Sequence, residues 1–172
     1  GNPALDNIRL TPRVPFEKIR SSLNVDLRPS RYIVLIHHPL SSEYSEAGKQ
    51  MEIVMRGAEL FCRQNHYFCL GIYPNTDPGS LDIVRVIDEY RSKPFARFFK
   101  TLPADIFVNI MRKAAALIGN SSMGLLEAPF YKLPAINTGN RQKGRFQAGN
   151  VEFVEYTTAD ITRSLKKACL DK

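Results

Sequence analysis

The sequence predicts an α/β protein with a doubly wound, all-parallel sheet, and three observations carry the prediction. Residues 32–37 (YIVLIH), 67–73 (YFCLGIY) and 114–118 (AAALI) are continuously apolar, the pattern of strands covered on both faces rather than one. Between them lie longer stretches with apolar residues at helical spacing. Each apolar run empties into a polar loop rich in Gly, Pro, Asn or Ser, so strands and helices alternate and the connections must be crossovers.

Taken in order, residues 1–14 contain Pro3 and Pro12 and lead to Pro15, and they read as a connector entering the domain from elsewhere. Residues 15–23 (PFEKIRSSL) place Phe16, Ile19 and Leu23 on one helical face, with Pro15 at the first turn. The first strand, 32–37, ends at His37-His38-Pro39, and Ser41 or Ser42 precedes a long helix over 43–64. Its apolar face is Met51, Val54, Met55, Ala58, Leu60 and Phe61. The second strand, 67–73, runs into PNTDPGS. Asp77 then reads as the N-cap of a helix over 81–91, with Pro78 at its first position and Ile83, Val84, Val86 and Ile87 inward.

A strand over 96–100, a helix over 105–113 and the strand 114–118 follow. Gly119-Asn120-Ser121-Ser122 is the next turn, and residues 125–130 read as the helix it opens. Residues 134–137 form a short strand, 138–150 a loop rich in Gly, Arg and Asn, and 151–154 a last strand. A final helix covers 161–170, capped by Thr158 or Asp160. Right-handed crossovers make this a Rossmann-like doubly wound sheet, occupying residues 15–172.

Length and composition bound what such a domain does. A chain of 172 residues, 44% hydrophobic and 24% charged, is sized for one domain with a real core. No apolar run approaches the roughly 20 residues of a membrane helix, and the first residues lack the apolar stretch of a signal peptide. A cytoplasmic protein without a membrane partner is expected. Cys62, Cys69 and Cys169 are odd in number and lack metal-ligand spacing, so reduced thiols and no metal site are expected. The net charge of +7 raises the question of nucleic acid. The basic residues are scattered and carry no RNA-binding or zinc-finger motif. Solvated surface charge, with a few cations reserved for a small phosphorylated ligand, is the expectation.

In a doubly wound sheet the ligand lies beyond the carboxyl ends of the strands. Four polar loops gather there: 37–42, 75–80, 119–124 and 139–145. They supply His37 or His38, the pair Asn75 and Asp77, the hydroxyls of Ser121 and Ser122 at the start of a helix, and Arg141. Glu127, one turn into that helix, is placed to accept two ribose hydroxyls. Arginine and amide donors for phosphates with a carboxylate for the sugar suit a nucleoside diphosphate. Each has a structural alternative: a capping serine, a hydrogen-bonded histidine at a strand end, an Asn/Asp turn, a glutamate complementing a helix dipole, an arginine in a surface loop. The coincidence of all of them at one sheet edge favours a site. The sequence contains no GxGxxG, Walker, GxSxG or HExxH motif.

GNSSMGLLEAP followed by PAINTGNRQKGR, with HHP and YPNTDPGS upstream, closely resembles the C-terminal half of UDP-N-acetylglucosamine 2-epimerases, particularly the hydrolysing type of sialic-acid and related sugar pathways. The likeness runs from the GNPALD stretch to the last helix. It implies the C-terminal half of a two-domain GT-B architecture, with residues 1–14 as the hinge from an N-terminal domain of the same chain. It also implies UDP contacts at His38, Asn75, Asp77, Ser121, Ser122, Glu127 and Arg141, and a proton-donating role for His38, for which adjacency to Pro39 is the only ground for preferring it over His37. The implied reaction eliminates UDP to a glycal and hydrates it to N-acetylmannosamine, without a cofactor, in a homo-oligomeric enzyme whose C2 acid–base residues lie mostly in the N-terminal domain. Alone, this half would bind UDP or a UDP-N-acetylhexosamine and turn over little. Two other readings are the nucleotide half of a GT-B glycosyltransferase and a basic module for polyanions.

Overall fold

Apolar runs too short for helices pair into a six-stranded, all-parallel sheet in the order β3-β2-β1-β4-β5-β6. The strands are β1 (Tyr32–Ile36), β2 (Phe68–Ile72), β3 (Ala96–Phe99), β4 (Ala116–Gly119), β5 (Ala135–Thr138) and β6 (Val151–Val154). This is the α/β, Rossmann-like architecture expected. The computed structural model describes residues 3–145 and 148–171. Gly1 and Asn2 of the GNPALD stretch, Phe146 and Gln147 of the glycine-rich loop, and Lys172 lie outside the described residues.

Alternation within the continuously apolar strands builds two cores. Ile33 and Leu35 of β1 join Cys69, Ile118 and Ile136 beneath α3 (Ala47–Asn65), α4 (Ser80–Tyr90) and α7 (Thr158–Leu170). Tyr32, Val34 and Ile36 point the other way, with Leu70, Leu117 and Ala135, under α2 (Phe16–Leu23) and α5 (Ala104–Met111). Side chains that alternate faces must all be apolar when both faces are covered, which is why β1 reads YIVLI. All three cysteines are free and buried, and burial pushes the Cys69 thiol up to about 12. No helix among the described residues is long and apolar enough to cross a membrane.

Several helix boundaries differ from those the sequence predicts. Residues 3–10, expected as connector, form helix α1 (Pro3–Leu10). The Arg112 guanidinium anchors it by donating to the carbonyls of Ile8 at 2.7 Å and Thr11 at 2.9 Å, and Asn109 donates to Pro12 O at 2.9 Å. The long helix begins at Ala47, because Ser41–Glu46 is a 3₁₀ segment broken at Glu43 (φ −131°). Leu60, placed on its apolar face, is 41% exposed. Asp77 does not cap α4. Gly79, at φ 91°, holds the cap position, and Asp77 O accepts from Ser80 N. The helix predicted over 125–130 is a four-residue α6 (Met123–Leu126) followed by a 3₁₀ turn, Ala128–Tyr131. Pro129 lacks the N–H that would continue it. Thr157, rather than Thr158 or Asp160, caps α7 by accepting from Asp160 N at 3.1 Å.

The strand registers place the site. Ile36 is level with Ile72 on one side and Gly119 on the other, and Gly119 with Asn137. The strands therefore end together, and their loops emerge along one edge.

Candidate functional site

The strand order reverses between β1 and β4. From β1 the chain crosses toward β2, and from β4 toward β5, so the loops leaving these two neighbours diverge and leave a crevice between them. Gly119 lets β4 end there: at φ 134°, its missing Cβ would stand 1.9 Å from Ile36 O. No other residue type fits at that approach.

Asn120 bridges the two loops. Its side-chain oxygen accepts from His38 N at 2.8 Å and its amide donates to His38 O at 2.7 Å. Only 1% of the residue is exposed. The carbonyl of Asn120 accepts in turn from Gln142 Nε2 at 3.0 Å, and Arg141 Nη1 donates to Pro39 O at 3.5 Å. Asn75 N donates to His38 Nδ1 at 3.1 Å, while the Asn75 amide donates to Asp77 Oδ2 at 2.5 Å. Hydrogen bonds thus bring all four predicted loops together.

The tandem histidines separate clearly. His37 is buried, its ring set edge-on to Tyr156 with centroids 5.9 Å apart, and neither ring nitrogen has a partner among the described residues. Burial, then the neighbouring His38 and Arg141 charges, lowers its pKa to about 3, so it is neutral at physiological pH. His38 is half-buried. Burial first and Arg141 second hold its pKa below the ordinary histidine value, with Asp77 pulling the other way. Because Nδ1 accepts a hydrogen bond in a neutral ring, Nε2 carries the hydrogen.

The serine turn is held less firmly. Ser121 Oγ accepts from Met123 N at 3.4 Å, and Ser122 occupies the N-cap position without a side-chain cap bond. A four-residue helix contributes little of a macrodipole, so the donors here are the hydroxyls and turn amides themselves. Glu127 closes this helix, half-buried, and burial raises its pKa. No hydrogen bond joins its carboxylate to the other site residues among the described ones.

Comparison with known proteins places this architecture. The UDP-N-acetylglucosamine 2-epimerase family pattern matches residues 1–172. The chain belongs to that family. It is 31% identical over 169 residues to a UDP-N,N'-diacetylbacillosamine 2-epimerase (hydrolyzing) of Legionella pneumophila, covering 98% of this chain and 43% of that protein. To a UDP-N-acetylglucosamine 2-epimerase of Neisseria meningitidis it is 27% identical, with the same coverage. Its fold superposes on Methanocaldococcus jannaschii UDP-GlcNAc 2-epimerase, solved in complex with UDP-GlcNAc and UDP, with TM-score 0.69 and 14% identity over 98% of this chain and 45% of that one. The chain therefore spans less than half the length of these relatives.

For this epimerase-family chain, three site-building residues escape sequence reasoning: Asn120, Gln142 and Tyr156. Asn120 lies inside the GNSS motif but reads there as a turn residue, and only its burial at a strand end distinguishes it. Gln142 is 2% exposed yet sits among polar neighbours in a loop. Tyr156, whose pKa burial raises, packs its ring edge-on against His37, and it carries no sequence signal because the contact joins residues far apart in the chain.

Proposed function

We propose that this chain is the UDP-binding half of a hydrolysing UDP-N-acetylglucosamine 2-epimerase with two Rossmann-like domains in a GT-B arrangement, the other half being an N-terminal domain of the same protein. The observation that carries the reading is the meeting of His38, Asn75 and Arg141 at the switch point, braced through Asn120, in a chain of this family. Arg141 and the hydroxyls of Ser121 and Ser122 hold the diphosphate, Glu127 accepts the ribose hydroxyls, and Asn75 with Asp77 shapes the wall behind His38. The hydrolysing name of the Legionella relative supports that subtype and a modified hexosamine as an alternative substrate.

In the reaction a base supplied by the other domain removes the proton at C2. The C–H electron pair forms the C1–C2 double bond, and the C1–O bond breaks with its electrons leaving on the β-phosphate of UDP. Water then adds across the glycal to give N-acetylmannosamine. Negative charge grows on the leaving phosphate, where fixed donors lower the barrier. Arg141 supplies the permanent charge. The His38 Nε2–H supplies a hydrogen bond, and a proton if the leaving oxygen takes one. Alone, this half binds UDP with little turnover.

Calorimetry tests the binding: UDP should bind more tightly than ADP and UMP, and Arg141→Ala should weaken UDP at least tenfold. Absence of a UDP preference, or of a loss on Arg141→Ala, removes the assignment. With the full-length protein, free N-acetylmannosamine plus UDP supports the epimerase, whereas sugar on an acceptor assigns a glycosyltransferase.

A further inference from the structure

We propose that Asn120 is a positioning residue that sets both the place and the tautomer of His38. The inference rests on the UDP reading above for its consequence, though its geometry stands independently. An asparagine side chain offers one acceptor and two donors. Here the acceptor takes His38 N at 2.8 Å and one donor goes to His38 O at 2.7 Å, so a single rigid amide holds the backbone on both sides of the histidine Cα. The residues are 82 positions apart and lie just beyond the carboxyl ends of the two strands that flank the reversal of the sheet.

Asn120 is itself immobilised. Its N–H donates to Ile36 O at 3.2 Å, its carbonyl accepts from Gln142, and it follows Gly119, whose backbone lies against Ile36 O. With the His38 backbone fixed at two points, the ring stands where Asn75 N can donate to Nδ1. That bond assigns the hydrogen to Nε2, the state able to donate to a phosphate oxygen. The backbone of the same residue reaches the arginine loop, since Gln142 donates to the Asn120 main-chain carbonyl. Arg141 therefore reaches Pro39, directly after the clamped histidine.

The chain holds three histidines, His37, His38 and His66, so nitrogen-15 NMR of histidine-labelled protein reports each tautomer, with assignments from His37→Gln and His66→Gln. The unsubstituted chain should show His38 predominantly protonated at Nε2. In Asn120→Ala the two tautomers should mix, and UDP affinity should fall more than tenfold while uridine affinity changes less than twofold. Asn120→Asp is the near-isosteric variant, retained in case alanine does not fold. It keeps an acceptor for His38 N but sets a carboxylate oxygen against His38 O, and it should perturb the tautomer and weaken UDP likewise. A single Nε2 tautomer and undiminished UDP affinity in a folded Asn120 variant overturn the proposal. If the unsubstituted chain binds no UDP, the functional reading fails. The tautomer change on Asn120 substitution then still decides the positioning role, for or against.

Discussion

His38 and Ser121 stand on the two sides of one crevice, yet the chain holds them very differently. His38 has its backbone N–H and carbonyl bound by Asn120 and its ring nitrogen bound by Asn75 N. Ser121 has its hydroxyl in one long contact, 3.4 Å from Met123 N, and its carbonyl accepting from Gly124 N at 3.2 Å, both within its own turn before a helix of four residues. One wall is braced across the crevice before any ligand arrives; the other is held by bonds within its own turn, with its hydroxyls weakly engaged. Groups fixed in advance lose little entropy on binding, so the histidine wall should dominate stability and phosphate affinity, and the serine wall should contribute modestly. Substitutions ordered by size test that contrast.

The largest effect belongs to the hinge of the braced wall. In Gly119→Ala the new methyl would meet Ile36 O at 1.9 Å, on a residue at φ 134°, and neither strand can retreat without breaking the β1–β4 pairing. A loss of at least about 4 kcal/mol, or failure to fold, is expected by chemical denaturation, because steric overlap and backbone strain act together. A stable Gly119→Ala protein would mean that this wall is not rigid.

Next comes acid sensitivity. His37, with a folded pKa lowered to about 3 by burial, His38 and Arg141, binds a proton far more readily unfolded, where its pKa is near 6.5. Between those values the unfolded state holds more protons, so stability is greatest above pH 6.5 and falls as the pH drops toward 3. The loss is roughly 1.4 kcal/mol per pH unit, or about 2 kcal/mol between pH 6.5 and 5. Denaturation curves of His37→Gln should lack that increment and so lie flatter over the same interval. An unchanged slope would show that this imidazole is not the titrating group.

What could be read in advance follows the same division. The sheet was legible because a strand covered on both faces has to be apolar at every position, as Tyr32 to Ile36 is. The sheet and its polar loops already offered Arg141 and a histidine at 37 or 38, and the resemblance then preferred His38 and gave the loops a UDP ligand. Helix boundaries were not legible where glycine or proline set the backbone: Gly79 displaces Asp77 as the cap, and Pro129 cuts short the helix predicted over 125–130. The bracing was hidden for another reason. Asn120, Gln142 and Tyr156 act through contacts between residues far apart in the chain, and no local periodicity reports which polar residue will be buried.

On the open wall, Glu127 provides the next smaller effect. If it accepts the ribose hydroxyls, Glu127→Ala should weaken UDP about tenfold, the size of one charge-assisted hydrogen bond. The same substitution should leave 2'-deoxy-UDP nearly unaffected. Burial raises the pKa of this carboxyl, so the ribose contribution is full at higher pH and fades as the pH falls, at less acidic values than for an exposed glutamate. Equal losses for UDP and its deoxy analogue would move Glu127 out of the ribose site.

The smallest effect should be that of Ser121→Ala. Its hydroxyl already accepts a weak bond from Met123 N. Removing it deletes one neutral hydrogen bond to phosphate and leaves the turn amides in place. Such a bond contributes about 0.5–1.5 kcal/mol. With a hydroxyl held no more firmly than this one, the low end applies, a roughly threefold rise in Kd by calorimetry. Because Arg141→Ala should cost at least tenfold, the ratio of the two measures how unequal the walls are. A Ser121→Ala loss matching that of Arg141→Ala would mean that the serine turn is as preorganised as the clamp around His38, and that the contrast between the walls does not govern binding.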